Sequence, residues 1–534
     1  MTNDEQRQQI LMPTGEGAEA QRKHLCVLAT CLCVKGFVVA LVASLVAGWC
    51  LYALPGGVVA ASPPQSEAER VFPHYTFDVD LNYNYHSLDA VEQVVVPNPS
   101  GVTLSELVFN VPAAHEVGVF LLHSISVGDQ PADFVFAGTL LTVTLPSQLA
   151  PTDAVTVTIS FTVFAERLGA DVESFAAANL GYTDDMMTVG YWYPLLAPYR
   201  AGSGWLDVPW HPVGDPFASE SADYTATITA TSGVEIVAGG EMAREENVWH
   251  FDLPRGRTFA FIASPRYWET RVHVGGVTYS LYTFGEHARL APVALQTVIR
   301  SVWLYSSLYG PYPYTTLRVA EVNGPWSMEF SGLVTLGEEE FADYNGTNRN
   351  RLVRIAPHEV SHQWWYGVVG NDQAREPWLD EGMARFNELR YYEFYAPRDV
   401  WWWQSQVIYD AAPAGAVDSL VYNFRYHKNY ISAVYNRGAL FLDALRAQIG
   451  EVAFNGFLRD LYRREAFRIA TADDFFVTLS AHTHEDVRLV TWRYFSITPF
   501  EALLSPPSSS GNLSAPVNTP PALKGRGKES KLPQ

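Results

Sequence analysis

The stretch from Ala356 to Phe386, "APHEVSHQWWYGVVGNDQAREPWLDEGMARF", sets two histidines four residues apart, a glutamate beside the first and a second glutamate well downstream. On a helix His358 and His362 share one face about 6 Å apart along the axis, the separation at which two imidazoles bind one tetrahedral zinc. Glu359 then stands beside the ligands without being one, placed to take a proton from a water that the metal activates. Those five residues alone read equally well as a polar surface helix. Glu381 decides between the two, because it follows His362 after 18 residues inside "WLDEG", where Trp378 and Leu379 bury the helix that carries a third, anionic ligand.

This arrangement resembles the aminopeptidase N and leukotriene hydrolase family of gluzincin zinc metallopeptidases, in a short, bacterial-type form, over about residues 75 to 500. "HQWW" matches the family's aromatic run after the second histidine. "GPWSMEFSGLV" (324–334) resembles its exopeptidase motif, which implies that Met328 and Glu329 line the substrate and that Glu329 holds the free α-amino group. "VYNRGALFLDAL" (434–445) resembles its Tyr-x-[KR]-G-A helix start and implies that Tyr435 steadies the oxyanion, a donor that a carbonyl turning tetrahedral requires in any case. The bland alternatives are a glutamate at the edge of the core and a packed aromatic. The resemblance implies one Zn2+ per chain and peptides with a free N-terminus as substrates. Rival readings are an endopeptidase or an epoxide hydrolase on the same scaffold, or an inactive adhesion or scaffold protein.

Three further carboxylates stay open. Glu388 lies seven residues after Glu381, on the same helix face, and is either an acceptor for a ligand histidine's second nitrogen or an exposed helix carboxylate. Asp184 and Asp185 in "GYTDDMM" are either the second amine-binding group that the family draws from its β-domain or a plain turn. The sequence also departs from the family. Phe330 replaces a frequent asparagine, and Pro357 directly before His358 requires a kinked helix or one that begins close by. The sequence given is also too short to hold the long helical domain of larger members, so an open site is expected.

Positioning these residues takes an α+β, multidomain chain. "YTFDVDLNYNY" (75–85) alternates apolar and polar residues, "VTVTISFTVF" (155–164), "YTATITA" (224–230) and "GVEIVAGG" (233–240) are β-rich, and residues 71–268 read as an N-terminal β-sandwich-like domain. Helical spacing takes over near Leu290. Leu442, Leu445 and Ile449 precede a stop at Gly450, Phe454, Phe457, Leu458 and Leu461 share a face, and Thr471 caps a helix three residues before Asp474. Residues 269–503 read as a mainly α catalytic domain, thermolysin-like by the resemblance, and the Pro/Ser-rich 504–534 as a disordered tail.

Composition narrows the partners. The hydrophobic share of 48% is that of a globular chain, and a net charge of -21 concentrated in the body excludes a nucleic-acid binder. All four cysteines fall by residue 50, so the body has no disulfides. Residues 36–54, "GFVVALVASLVAGWCLYAL", are uncharged and long enough, at about 28 Å of helix, to span a bilayer. Arg22, Lys23 and Lys35 precede them, which puts segment 1–35 in the cytoplasm and the body, after a linker at 55–70, outside. Secretion after signal cleavage near Val59-Ala60-Ala61 is the alternative.

Overall fold

The computed structural model describes residues 70–169, 179–200 and 202–496, so the apolar stretch 36–54 and the tail at 504–534 lie outside the described residues. Among the described residues no helix is long and apolar enough to cross a membrane.

The first half is built on alternation. β1 (His74–Asn82) turns Tyr75, Phe77, Val79 and Leu81 inward and its polar residues outward. It pairs antiparallel with β2 (Ser87–Pro97), which pairs with β3 (Ala154–Phe164), and on its other edge parallel with β4 (Ala222–Ala230), flanked by β5 (Val248–Gly256). These strands belong to an eight-stranded sheet, with separate four- and five-stranded sheets beside it. Between them lies an aromatic interior in which Phe77 meets Trp192 and Phe259, and Phe120 of the large sheet meets Phe136 of the four-stranded one. The alternation through Tyr85 overshoots the strand, which ends at Asn82 because the Asn82 side chain accepts from Tyr85 N and the chain turns, His86 taking a φ of 52°.

The second half opens with a sheet of its own. β6 (Trp268–Val274) and β7 (Val277–Thr283) form a hairpin, and β8 (Thr316–Val322) and β9 (Leu333–Gly337) continue it in parallel. A parallel step needs a crossover, and α1 (Ala291–Leu308) supplies it between β7 and β8. The helices α2 (Arg351–Ser361), α3 (Glu381–Tyr395), α4 (Arg437–Ile449), α5 (Glu451–Arg464), α6 (Ala472–Ser480) and α7 (Arg488–Tyr494) follow. Gly450 ends α4 at φ 85°, Phe454, Phe457, Leu458 and Leu461 are buried on α5, and Thr471 and Asp474 form a reciprocal cap on α6.

Candidate active site

Helix α2 starts where Asn350 accepts a hydrogen bond from Val353 N, well ahead of Pro357, so the proline sits inside the helix instead of opening it. The helix stops at Ser361, and His362 is its last cap residue. α3 begins at Glu381 itself, because the Asp380 carboxylate accepts from Glu381 N at 2.7 Å. Ahead of it, Trp378 is buried among Phe441, Phe475 and Phe495, which fixes where α3 enters.

The three donors converge. His358 Nε2 lies 3.2 Å and His362 Nε2 3.5 Å from Glu381 Oε2, and a ligand atom of each residue falls within 4.8 Å of the others. The outer nitrogens are held as well. His362 Nδ1 donates to Trp365 O at 3.1 Å, which keeps the proton off Nε2. His358 Nδ1 is 3.0 Å from Glu388 Oε1, at an angle short of a straight hydrogen bond. Glu388 is fully buried rather than exposed. Two imidazoles and a carboxylate with supported outer faces are a donor set suited to zinc.

The charges follow from burial and contact. Burial works against ionisation of both Glu381 and Glu388, but His362 and His358 outweigh it at the first, and Arg385 and Arg354 at the second, so both carboxyls stay below the usual range. Burial also lowers His358, yet the Glu381 and Glu388 carboxylates push it up to about 9. A pair of groups that attract a proton this strongly attracts a cation in its place. Glu359, buried with Glu381 nearby, is held well above the ordinary carboxylate range, as a group that must accept and return a proton requires.

Two more elements close on this centre. Met328 bridges antiparallel to Thr335, with Thr335 N donating to Met328 O at 2.8 Å, so residues 328–330 run along the edge of β9. Gln363 pins that stretch, donating to Phe330 O and accepting from Gly332 N. Glu329 therefore faces the centre, within 4.8 Å of Glu359 and His362, and its Oε1 is buried without a hydrogen-bond partner. Phe330 does not enter the site. Its ring fills the space over Gly190, where a Cβ would stand 2.5 Å from its Cζ. Tyr435 lies in a π-helical turn (Ile431–Asn436) leading into α4, and its ring stacks on His358 with centroids 5.6 Å apart. Burial and Glu381 raise its phenol well above the usual value, so it stays a donor. α3 and α4 cross at glycines, and a Cβ on Gly438 would stand 2.8 Å from the Gly382 Cα.

Asp184 and Asp185 are a correction. Asp184 is paired with Arg167 at 2.8 Å with most of its side chain exposed, and Asp185 is paired with Arg266, so the "TDD" stretch is a surface turn with its charges already spent. The carboxylate that the first half brings to the cavity is Asp215, buried and hydrogen-bonded by Asn179 Nδ2 at 3.2 Å. Nothing in "PVGDPF" marked it, since its role depends on Glu329, more than a hundred residues away. Gln363 was also missed, hidden inside a run notable for its aromatics. The cavity is about 300 Å³, and both His358 and Tyr435 line it.

Residues 294–494 match the family model described as Peptidase family M1 domain. The chain is 26% identical over 235 residues to Aminopeptidase M1-D of Oryza sativa subsp. japonica, covering 40% of this chain and 26% of that protein. It is 26% identical over 246 residues to glutamyl aminopeptidase of Bitis rhinoceros, covering 42% and 25%. The chain thus spans about a quarter of the length of the curated relatives it matches. Among solved structures, the M1 zinc metallopeptidase of Deinococcus radiodurans superposes with a TM-score of 0.57 at 18% identity, covering 80% of this chain and 94% of that one. A mutant of that protein bound to Tyr-Ser-Ala superposes with a TM-score of 0.56 at 17% identity, covering 80% and 95%. The fold is that of the two-domain M1 metallopeptidases, and the match to the M1 peptidase domain spans residues 294–494.

Proposed function

We propose that the chain is a zinc aminopeptidase that removes the N-terminal residue of peptides, with zinc held by His358, His362 and Glu381. The observation that carries this reading is Glu329, a buried carboxylate with one oxygen free of any partner, placed beside Glu359 and His362. A protonated α-amine is the natural occupant of such a position, and Asp215 adds a second negative group on the same side of the cavity. Holding the amine there limits the substrate to one residue before the reacting carbonyl. Zinc, when bound, polarises that carbonyl and makes a water acidic enough to attack at neutral pH. Glu359 takes the proton of the attacking water and returns it to the departing amine. Tyr435 donates its phenolic hydrogen to the carbonyl oxygen as it gains charge.

The relatives named aminopeptidases and the fold neighbour with a bound tripeptide support the same substrate class. The apolar stretch 36–54 further supports a single-pass anchor with the N-terminus in the cytoplasm and the catalytic body outside, secretion after cleavage being the alternative.

The deciding measurement is kcat/KM for one peptide amide with a free and with an acetylated amine. The free form is expected to be strongly preferred, and Glu329→Ala to lower its turnover about ten- to a hundredfold, the scale of one charge-assisted hydrogen bond, with zinc content unchanged. Equal cleavage of both forms by the unaltered protein makes it an endopeptidase.

A further inference from the structure

The cavity that holds the metal ligands has two electrically opposite ends. Glu329 and Asp215 stand at one, next to His362 and Glu359. At the other are Arg351, Arg354 and Arg385, all lining the same cavity. Arg351 and Arg354 precede His358 by seven and four residues, so they lie on its face of α2, on the side away from His362. Arg385 lies one turn into α3 from Glu381. Such helix charges usually serve as one half of an ion pair, and here the pairing is incomplete. Arg351 Nη2 binds Glu340 at 2.6 Å. Arg385 Nη1 binds Glu388 Oε1 at 2.6 Å, whereas Arg354 Nη1 reaches that same oxygen only at 3.5 Å. Glu388 is therefore shared by two guanidiniums and His358. Arg385 Nε is buried without a hydrogen-bond partner. Three guanidiniums thus share two carboxylates as direct ion-pair partners, within a chain whose net charge is -21.

We propose, on the aminopeptidase reading, that this arginine wall receives a carboxylate carried on the leaving-group side of the cleaved bond, so that the preferred substrates are very short peptides with a free C-terminus. The spacing agrees. Arg354 precedes His358 by one turn, about 6 Å along the axis, and an extended peptide advances about 3.3–3.6 Å per residue. With the amine at Glu329 and the first carbonyl at the histidines, the terminal carboxylate of a dipeptide or tripeptide falls within reach of the long Arg354 side chain. A planar guanidinium suits that group, since it donates two parallel hydrogen bonds to a carboxylate and none of comparable strength to an amide. An acidic side chain on the second residue offers the same chemistry from a different source.

The test uses the zinc-loaded full chain and three substrate pairs: Leu-Ala against Leu-Ala-amide, Leu-Glu-amide against Leu-Gln-amide, and Leu-Ala-amide with its amine free against acetylated. The expected result is a preference of about ten- to a hundredfold in kcat/KM for Leu-Ala over its amide, carried mainly by KM and collapsing towards unity in Arg354→Gln. A preference confined to Leu-Glu-amide assigns the wall to an acidic side chain and overturns the short-peptide specificity. Because Arg354→Gln can disturb the fold, the binding of Leu-Ala and Leu-Ala-amide to the zinc-loaded Glu359→Gln protein is compared by calorimetry, where tighter binding of the acid is expected. Equal binding there, or an acid preference that survives Arg354→Gln, overturns the proposal. The third pair reads the aminopeptidase assignment separately: loss of its free-amine preference defeats that assignment, while an intact preference beside equal use of acid and amide defeats only the carboxylate wall.

Discussion

The two halves of the molecule bury opposite things. The β-rich half buries rings and branched aliphatics, and on the inward face of β2 the sequence Leu88, Ala90, Glu92, Val94, Val96 contains a single charged residue. Both oxygens of Glu92 are buried without a hydrogen-bond partner, and burial holds its carboxyl well above the usual range. The helical half buries His358, Glu359, His362, Asp380, Glu381, Arg385 and Glu388 within about thirty residues of chain. Five of these seven, all but Glu359 and Asp380, face an opposite charge, as burial of ions demands. A lone buried carboxyl is tolerated because it stays protonated, whereas a paired cluster persists because each member stabilises the next. Substitutions should therefore disable the second region and relieve the first.

The largest effect is expected at Glu359. Glu359→Gln should lower turnover by about 10²- to 10⁴-fold, the usual worth of a general base, while zinc content measured by atomic absorption stays at one per chain. A parallel loss of metal would make Glu359 a ligand and redraw the site. Glu388→Gln comes next, because it removes the carboxylate behind His358 and leaves Arg354 and Arg385 facing each other. Its zinc affinity, read by chelator competition, should fall about 10- to 100-fold, and an unchanged affinity would show that the buried network is structural padding.

The smallest effect has the opposite sign. Glu92→Met keeps the volume and removes an unpaired polar group, so it should raise unfolding stability at neutral pH by about 1–3 kcal/mol. The pH dependence follows from the raised carboxyl. In the unfolded chain Glu92 gives up its proton near pH ~4.3, whereas the folded one retains it, so stability is lost as pH rises above that value. Thermal melts of wild type and Glu92→Met should converge at acid pH and separate towards neutrality. Destabilisation at every pH would mean that Glu92 has a structural role.

Much of the site could be read in the sequence because its chemistry is local. His358, Glu359 and His362 occupy one helix face, and Glu381 lies at a set distance from them with its own buried anchor. Residues whose role depends on a distant partner stayed silent. Asp215 matters through Glu329, and Gln363 through the backbone of residues 330 and 332. Arg354 and Arg385 look like ordinary helix charges until the fold sets both against one carboxylate. Glu388 supported two readings because helical spacing gives the face of a residue and not its depth. The acidic pair Asp184 and Asp185 supported two readings for a related reason, since their cationic partners, Arg167 and Arg266, lie far apart in the chain. In the β-half, alternation located β1 but ran past its end, because a period of two continues through Tyr83 and Tyr85 without sensing that Asn82 has turned the chain.

The glycine contact between α3 and α4 places Glu381 and Tyr435 by main chain against main chain, with no side chain between the helices to serve as a spacer. The distance between the Glu381 carboxylate and the Tyr435 phenol is thus insulated from drift in the surrounding residues. A side chain added at either glycine would push the two helices apart, since each approaches the other's backbone within about 3 Å of where a Cβ would stand, whereas exchanges on the cavity walls leave that contact untouched. The cavity walls and the spacing of its centre are then set by separate contacts of one small domain.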